Sequence, residues 1–237
     1  MTNQPVAEDD AAHRRQQLKV YTREIEALCG DSPAARVKLR RGLRRSLDDV
    51  RQMHRWVASS LPARRSEAQE RAYYAVAAMI AAQPRYTFAS DSGSDQEKVP
   101  SDAAEGPGAN SNSPHDGDSS ADRYGPSLGL AFAHAVEQSY GGEREMRAST
   151  AERRLDLLTR QSLDGLHRHL PSSVRYLRRL EVEIDWAQLL ADLADWPNYS
   201  GRIARRWLQD YYRQRYKAAH EAAAQEDDAD EGSVQPE

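Results

Sequence analysis

A run of closely spaced bases is the first feature of the sequence that predicts a chemistry. Residues 35–47, ARVKLRRGLRRSL, contain six bases and no acid. These bases are Arg36, Lys38, Arg40, Arg41, Arg44 and Arg45. The guanidinium group is a planar fork of donors that matches phosphate oxygens in pairs. Because solvated basic helix faces usually interleave acids, this segment favours contact with a nucleic-acid backbone.

Two further groups of arginines lie in the second half of the chain. The first group comprises Arg153, Arg154, Arg160, Arg168, Arg175, Arg178 and Arg179. The second comprises Arg202, Arg205, Arg206, Arg213 and Arg215, interleaved with Trp207, Tyr211, Tyr212 and Tyr216. Aromatic rings beside arginines are able to stack on the bases of single strands. Ile203, Trp207 and Tyr211 recur every four residues, however, which favours a helix core for them. The sequence leaves open whether these groups share a face with residues 35–47.

Residues suited to catalysis or metal binding are few. His167 and His169 are two positions apart, which on a helix separates them by about 200° and does not suit one metal ion. We therefore expect both at the surface. Asp185 is better explained as a helix cap, and Asp192 and Asp195 as ion-pair partners. With no P-loop, GxGxxG or nucleophile motif, the sequence predicts no catalytic site, no metal and no cofactor.

The basic run must be positioned by helices of the first half. Leu18, Tyr21, Ile25 and Leu28 recur at spacings of three and four, which predicts an amphipathic helix ending near residues 29–30. Ser32 and Pro33 then predict the start of a second helix that runs toward residues 56–57. The predicted buried stripe of this second helix spans an arc of about 80°. It consists of Leu39, Leu43 and Leu47.

A third helix is predicted from about residue 65 to 82 and ends before Pro84. Its buried face consists of Tyr74, Val76, Ala77 and Ile80. Within the basic run, Gly42 either allows a phosphate backbone to approach or permits tight helix packing.

The second half also reads as helical. Residues 127–138 form a short helix, and a longer helix follows Thr150. Its predicted buried stripe is Leu155, Leu158, Leu166 and Leu170. After Pro171 a further helix begins, capped by Ser172 or Ser173.

The last elements are separated by a short connector at residues 182–184. Asp185 is the predicted N-cap of WAQLLADLADW, and Ser200 that of the final helix. Because no segment alternates convincingly, we expect an all-α fold of two small helical bundles joined by a long acidic linker.

Composition divides the 237 residues into five parts. We expect a disordered N-terminus at 1–12, an N-terminal helical domain at 13–89 and a disordered linker at 90–126. A C-terminal helical domain at 127–220 and an acidic disordered tail at 221–237 complete the chain. The formal net charge is -4. Residues 1–12, 91–122 and 221–237 contribute -17 of it, which leaves about +13 on the remaining body and a field that attracts polyanions.

The chain carries one cysteine, Cys29, so an intrachain disulfide and a CxxC zinc site are excluded. A mean hydropathy of -0.86 and the lack of a long apolar run predict a soluble cytoplasmic protein with no membrane association.

An ordered set of short motifs resembles a known family. In chain order these are KLRRG (38–42), SLG (127–129), ERR (152–154), SVRYLRRL (173–180), EIDWAQLLADLADW (183–196) and RRWLQDYY (205–212). Together they resemble the CasB family, the small subunit of type I-E CRISPR Cascade complexes. Leu130 follows SLG where that family often has a base, so no contact is predicted there.

The resemblance implies a non-catalytic, all-α subunit that holds the assembly together and stabilises the R-loop, including the displaced DNA strand. Its implied partners are crRNA, target DNA and the CasA, CasC, CasD and CasE subunits, with self-association as a head-to-tail pair. Carried over by motif, Arg41 and Arg40, Arg153 and Arg154, and Arg175 fall on backbone-contacting positions. Arg178 and Arg179 align less closely.

Two other classes of function are consistent with the same composition. A helical DNA-binding regulator would need a helix-turn-helix with a turn of 3 to 4 residues, to which residues 29–34 correspond only loosely. An arginine-rich scaffold protein would instead pair its bases with acidic partner proteins.

Overall fold

Eight α-helices lie in the part of the chain that the computed structural model describes, which is residues 5–88, 125–138 and 146–231. They are α1 (Pro5–Asp31), α2 (Pro33–Arg40), α3 (His54–Val57), α4 (Glu67–Ala81), α5 (Leu128–Glu137), α6 (Ala148–Thr159), α7 (Leu163–Arg179) and α8 (Trp186–Glu231). Short 3-10 turns occupy Leu47–Asp49, Arg51–Met53, Ala58–Ser60 and Arg85–Phe88. No β-strand occurs within these ranges. The all-α prediction is confirmed.

Helix α1 follows its predicted periodicity. Leu18, Tyr21, Ile25 and Cys29 are buried, and Leu28 is half-buried. The predicted cap of α2 is also confirmed, because the Ser32 hydroxyl accepts a hydrogen bond from the Ala35 amide at 3.2 Å.

The predicted length of the second helix is wrong. Helix α2 ends at Arg40, and residues 41–57 form turns, two 3-10 turns and the short α3. At Gly42 the chain lies so close to Met53 that an added Cβ would overlap the thioether sulfur. Tight packing is thus what this glycine permits, and the turn brings Val50 and Met53 into the core. Tertiary packing overrides the helical period here: of the predicted buried stripe, Leu39 is buried, whereas Leu43 and Leu47 in the turns are half-buried and pack against the core.

Helices α4 and α5 lie close to their predicted positions. Ser66 caps α4 in a reciprocal capping box with Gln69. The four residues predicted for the buried face of α4 are buried: Tyr74, Val76, Ala77 and Ile80. The Ser127 hydroxyl caps α5 by accepting from the Leu130 amide at 3.3 Å.

The boundary between α6 and α7 differs from the prediction. The chain breaks at residues 160–162, where the Ser162 hydroxyl accepts from the Gly165 amide and starts α7. Pro171, predicted to separate two helices, lies inside α7. The four leucines predicted for one buried stripe are nevertheless all buried, on two helices rather than one. Ser162 supplies a cap that leucine spacing alone does not reveal.

Helix α8 begins as predicted, since the Asp185 carboxylate accepts from the Gln188 amide at 2.8 Å. It is kinked at Tyr199, whose φ of -135° and ψ of 24° are non-helical. Pro197, which has no backbone N–H to donate, lies two residues before the kink. The predicted boundary at residue 200 therefore falls next to this kink, where α8 divides into two helical parts.

The buried side chains of both halves form one hydrophobic cluster. Helix α8 is central to it, since it contacts α1 and α4 of the first half as well as α5 and α6 of the second. The two helical parts therefore pack directly on each other.

The helical backbone also enters both terminal segments for which the sequence predicts disorder. Helix α1 begins at Pro5 and α8 continues to Glu231. Alanine is frequent in both segments and favours helix by intrinsic propensity, although their composition is polar. Most of the linker predicted at 90–126 lies outside the described residues.

Candidate nucleic-acid interface

A groove of about 260 Å³ lies where the turn after α2 meets α4 and α7. Three arginines line it, namely Arg44 from the turn and Arg175 and Arg178 from α7. Its remaining lining residues are Leu43, Met79, Ala82, Gln83, Pro171, Ser172 and Val174, with no acid among them. Folding thus brings the basic run of residues 35–47 next to Arg175 and Arg178, two members of the arginine group that begins at Arg153.

One face of α7 extends this basic surface. Arg168, Arg175 and Arg179 are spaced by seven and four residues, so they project from the same side of the helix. All three are exposed. At 1.5 Å per residue they span about 16 Å along α7. Arg168 lies outside the eleven site residues predicted from the sequence, although its spacing to Arg175 is the signal that identifies it.

The backbone of Arg44 is strained. Its φ of 61° lies in the left-handed region, which a residue with a Cβ adopts only at a cost. Backbone strain of this kind tends to occur at functional sites, and Arg44 lies at the groove.

Other members of the basic run differ in their surroundings. Arg40 and Arg41 are exposed at the C-terminal end of α2, where the helix dipole favours cations. Lys38 is half-buried in the last turn of that helix. Arg45 is exposed and borders a small cavity beneath residues 42–47. Four members of the run are thus exposed cations that line the groove or lie within four residues of Arg44 in the sequence, namely Arg40, Arg41, Arg44 and Arg45.

Arg36 serves the fold instead. Its guanidinium donates to the carbonyl oxygens of Ala81 and Gln83, at 3.2 and 2.6 Å, and lies 4.6 Å from the centre of the Phe88 ring. It therefore satisfies the carbonyls at the end of α4, which the helix itself leaves unpaired. Burial lowers the pKa of Arg36.

The predicted site residues on α6 and at the end of α7 differ in their exposure and contacts. Arg153 is exposed, whereas the Arg154 guanidinium lies 4.7 Å over the Tyr176 ring. Arg178 donates to the Val182 carbonyl at 2.7 Å while lining the groove, and burial lowers its pKa. Arg153 and Arg154 are not among the groove residues.

The residues considered for catalysis and metal binding form hydrogen bonds and ion pairs within the fold. Asp192 is buried and accepts hydrogen bonds from Trp207 Nε1 at 2.7 Å and from Gln188 Nε2 at 2.8 Å. Asp192 also forms an ion pair with Arg206, and Asp195 forms one with Arg14, as the sequence predicted. Burial raises the pKa of Asp192. Among the described residues, no three His, Cys, Asp or Glu side chains are close enough to hold a metal ion.

The expectation that both histidines are at the surface is wrong. His167 is 5% exposed and His169 is half-buried. His167 faces inward because α7 packs under residues 42–47, and burial, with Arg71 beside it, lowers its pKa to about 4.

The final arginine and aromatic group is divided by the fold. Ile203, Trp207 and Tyr211 are buried, which confirms their prediction as core residues. Tyr212 and Tyr216 are exposed.

No helix in the described ranges is both long and apolar enough to cross a membrane.

Comparison with known proteins identifies the family of this chain. A model of the family described as CRISPR-associated protein Cse2 matches residues 35–212. One similar solved chain, described as "CRISPR RNA-guided surveillance complex, pre-nicking", shares 34% identity with a TM-score of 0.68, covering 88% of this chain and 98% of that one. Another, described as "CRISPR RNA-guided surveillance complex", shares 36% identity with a TM-score of 0.67, covering 88% and 99%. The curated proteins contain no match.

The fold and these matches define an all-helical CRISPR-associated protein. More specifically, the chain belongs to the Cse2 family, which is also called CasB.

Proposed function

We propose that this protein is a non-catalytic subunit of a CRISPR RNA-guided surveillance complex that stabilises the R-loop, including the displaced strand. Its arginines contact the nucleic-acid backbone. The observation that carries this proposal is the acid-free groove lined by Arg44, Arg175 and Arg178, continued by the exposed arginines of α7. The two similar solved chains belong to structures described as such complexes, which supports the assembly.

The physics of RNA-guided recognition suits such a surface. Base pairing reads the sequence, so a supporting protein needs cations for the strand and no base-specific reader. The proposed partners are crRNA, target DNA and the CasA, CasC, CasD and CasE subunits, and the protein acts as a head-to-tail pair in the cytoplasm.

The regulator hypothesis has less support. Helices α1 and α2 are separated by Ser32 alone, and α2 has eight residues. A helix-turn-helix needs a longer turn and a recognition helix that reaches into a groove. The scaffold hypothesis makes the opposite prediction for isolated nucleic acid and is tested below.

The test reverses the charge of Arg40 and Arg41 together. The Arg40→Glu/Arg41→Glu variant should bind single-stranded DNA at least about tenfold more weakly, because it loses the phosphate contacts of both side chains. The slope of log affinity against log salt concentration should also fall in magnitude, by roughly 0.7 for each lost contact. Fluorescence anisotropy across a salt series measures both quantities. Since both side chains are exposed, helix content by circular dichroism should not change.

The outcomes separate the alternatives. If the unmodified protein binds no single strand even at low salt, the scaffold hypothesis replaces this proposal. Strong preference for one duplex sequence would support the regulator. Unfolding of the double variant would assign the two arginines to the fold.

A further inference from the structure

A second basic depression lies on another part of the molecule, between the C-terminal end of α6 and the second half of α8. This trough measures about 650 Å³ and shares no lining residue with the groove described above. Its cations are Arg160, Arg205 and Arg213, and Asp156, the one acid among the lining residues, lies 3.6 Å from the Arg160 guanidinium in an exposed ion pair. The trough therefore carries a net positive charge of its own.

Tyr212 is the aromatic residue of this trough. Tyr212 is 53% exposed, whereas the nearby Trp207 and Tyr211 of the same helix are buried. The ring of buried Tyr211 contacts it edge-on, with ring centres 5.1 Å apart and an interplanar angle of 76°. Tyr212 is thus held in place on one side and open on the other, as a stacking platform requires.

The lining residues of α8 form a continuous strip. Arg205, Leu208 and Tyr212 are spaced by three and four residues and so lie on one face of the helix. From Arg205 to Arg213 the strip is about 12 Å long, which matches three to four stacked nucleotides at about 3.4 Å each. At the end nearest the kink, an added Cβ on Gly201 meets nothing within 4 Å, so the trough is open there.

We propose that this trough is a second nucleic-acid site, in which a base of a single strand stacks on Tyr212 while Arg160, Arg205 and Arg213 hold the flanking phosphates. Base-to-aromatic stacking within a positively charged groove is the general mode of sequence-independent single-strand binding. The trough differs in kind from the α7 groove, whose lining contains no aromatic residue.

The experiment uses the full chain in an Arg44→Ala/Arg175→Ala background, which disables the first groove. The probe is an oligothymidine of about fifteen nucleotides with one internal 2-aminopurine, whose fluorescence is quenched by stacking. We compare Tyr212→Ala and Tyr212→Phe. Tyr216→Ala is the matched control, because Tyr216 lies on the same helix, is 69% exposed and does not line the trough.

Tyr212→Ala should weaken affinity about tenfold and abolish the fluorescence change that binding causes. Tyr212→Phe should retain both, because the phenyl ring stacks without the hydroxyl. Tyr216→Ala should stay within about twofold of the background. Thermal unfolding of each variant separates lost binding from lost folding, and a defect of Tyr212→Ala that follows unfolding counts against stacking.

Three results would overturn the second site. Tyr212→Ala could behave like Tyr216→Ala, or the background could bind no oligonucleotide, which would support the α7 groove alone. In the third, Tyr212→Ala would turn a dimer into a monomer on size-exclusion chromatography with unchanged affinity, which would assign this face to a second copy of the chain. If the groove substitutions change nothing while Tyr212→Ala weakens binding, the second site survives and the first groove does not.

Discussion

Single arginines within one basic run have different roles, which residue type alone does not separate. Arg36 donates to two main-chain carbonyls at the end of α4, whereas Arg40, one helical turn later, is exposed. Hydrogen bonds from a charged donor stabilise more than neutral ones. The same side chain therefore supports the fold at one position and is available to a ligand at the other.

This difference predicts unequal stability effects. Arg36→Ala should lower the free energy of unfolding by about 2 kcal/mol, because it removes two charge-assisted hydrogen bonds. Arg40→Ala, the matched control, should change it by less than about 0.5 kcal/mol. Urea denaturation followed by circular dichroism measures both. Equal values for the two variants would contradict a structural role for Arg36.

The strained backbone of Arg44 allows charge and conformation to be tested separately. Arg44→Gly removes the charge and relieves the positive φ, whereas Arg44→Ala removes the charge and keeps the strain. The glycine variant should be more stable than the alanine variant by about 1 kcal/mol in thermal or urea unfolding. Both should lose affinity for single-stranded DNA equally. A less stable glycine variant would show that this φ costs nothing.

At the scale of elements, glycines mark where helices and turns approach one another closely. In the SLG motif, Ser127 caps α5, Leu128 is buried and Gly129 lies against the backbone of Trp207 on α8. An added Cβ on Gly129 would overlap the Trp207 carbonyl. This motif is therefore explained by the packing of α5 on α8.

Gly129→Ala should destabilise the protein by about 1 to 3 kcal/mol, because a backbone atom cannot move aside as a flexible side chain can. Gly201→Ala is the control, since its Cβ would enter open space. That substitution should stabilise the protein by up to about 1 kcal/mol through helix propensity. Melting temperatures of the two variants should move in opposite directions, and a stabilised Gly129→Ala would contradict the packing described.

At the scale of the whole molecule, the two helical parts meet at a site that contains a titratable group. His167 of α7 lies beneath residues 42–47, in a cavity also lined by Arg71 of α4. Arg71 pairs with Asp164 one turn before His167. Burial and the neighbouring Arg71 lower the pKa of His167 to about 4, so the folded protein holds it neutral.

The sign of the pH effect follows from this lowered pKa. Between about pH 6.5 and pH 4 the unfolded chain binds a proton at His167 and the folded chain does not. Stability therefore falls as the pH drops toward 4. The loss in the free energy of unfolding approaches about 3 kcal/mol near pH 4. His167→Gln should reduce the difference in unfolding free energy between pH 7.5 and pH 5. An unchanged difference would place His167 in solvent.

Charge at this scale is also distributed by segment. The formal total of -4 hides a basic body, because the acids concentrate in segments that the sequence separates by composition. The acid-free lining of the α7 groove is the structural expression of that separation.

Local signals in the sequence determined the helices and several of their ends. Ser32 and Asp185 predict caps because their side chains bond to amides only three residues away, and leucine spacing predicts burial for the same short-range reason. The motif order also indicated the family that residues 35–212 match.

Only the tertiary structure decided where the chain turns and which basic groups meet. Helix α2 stops at Arg40 because Met53 packs against Gly42, and Arg44 reaches Arg175 and Arg178 because that turn lies on α7. Arg44 and the two α7 arginines are more than a hundred positions apart in the sequence. Helical period and charge counting describe neighbours along one element, whereas close packing between elements selects the turn, the inward His167 and the split between buried Tyr211 and exposed Tyr212.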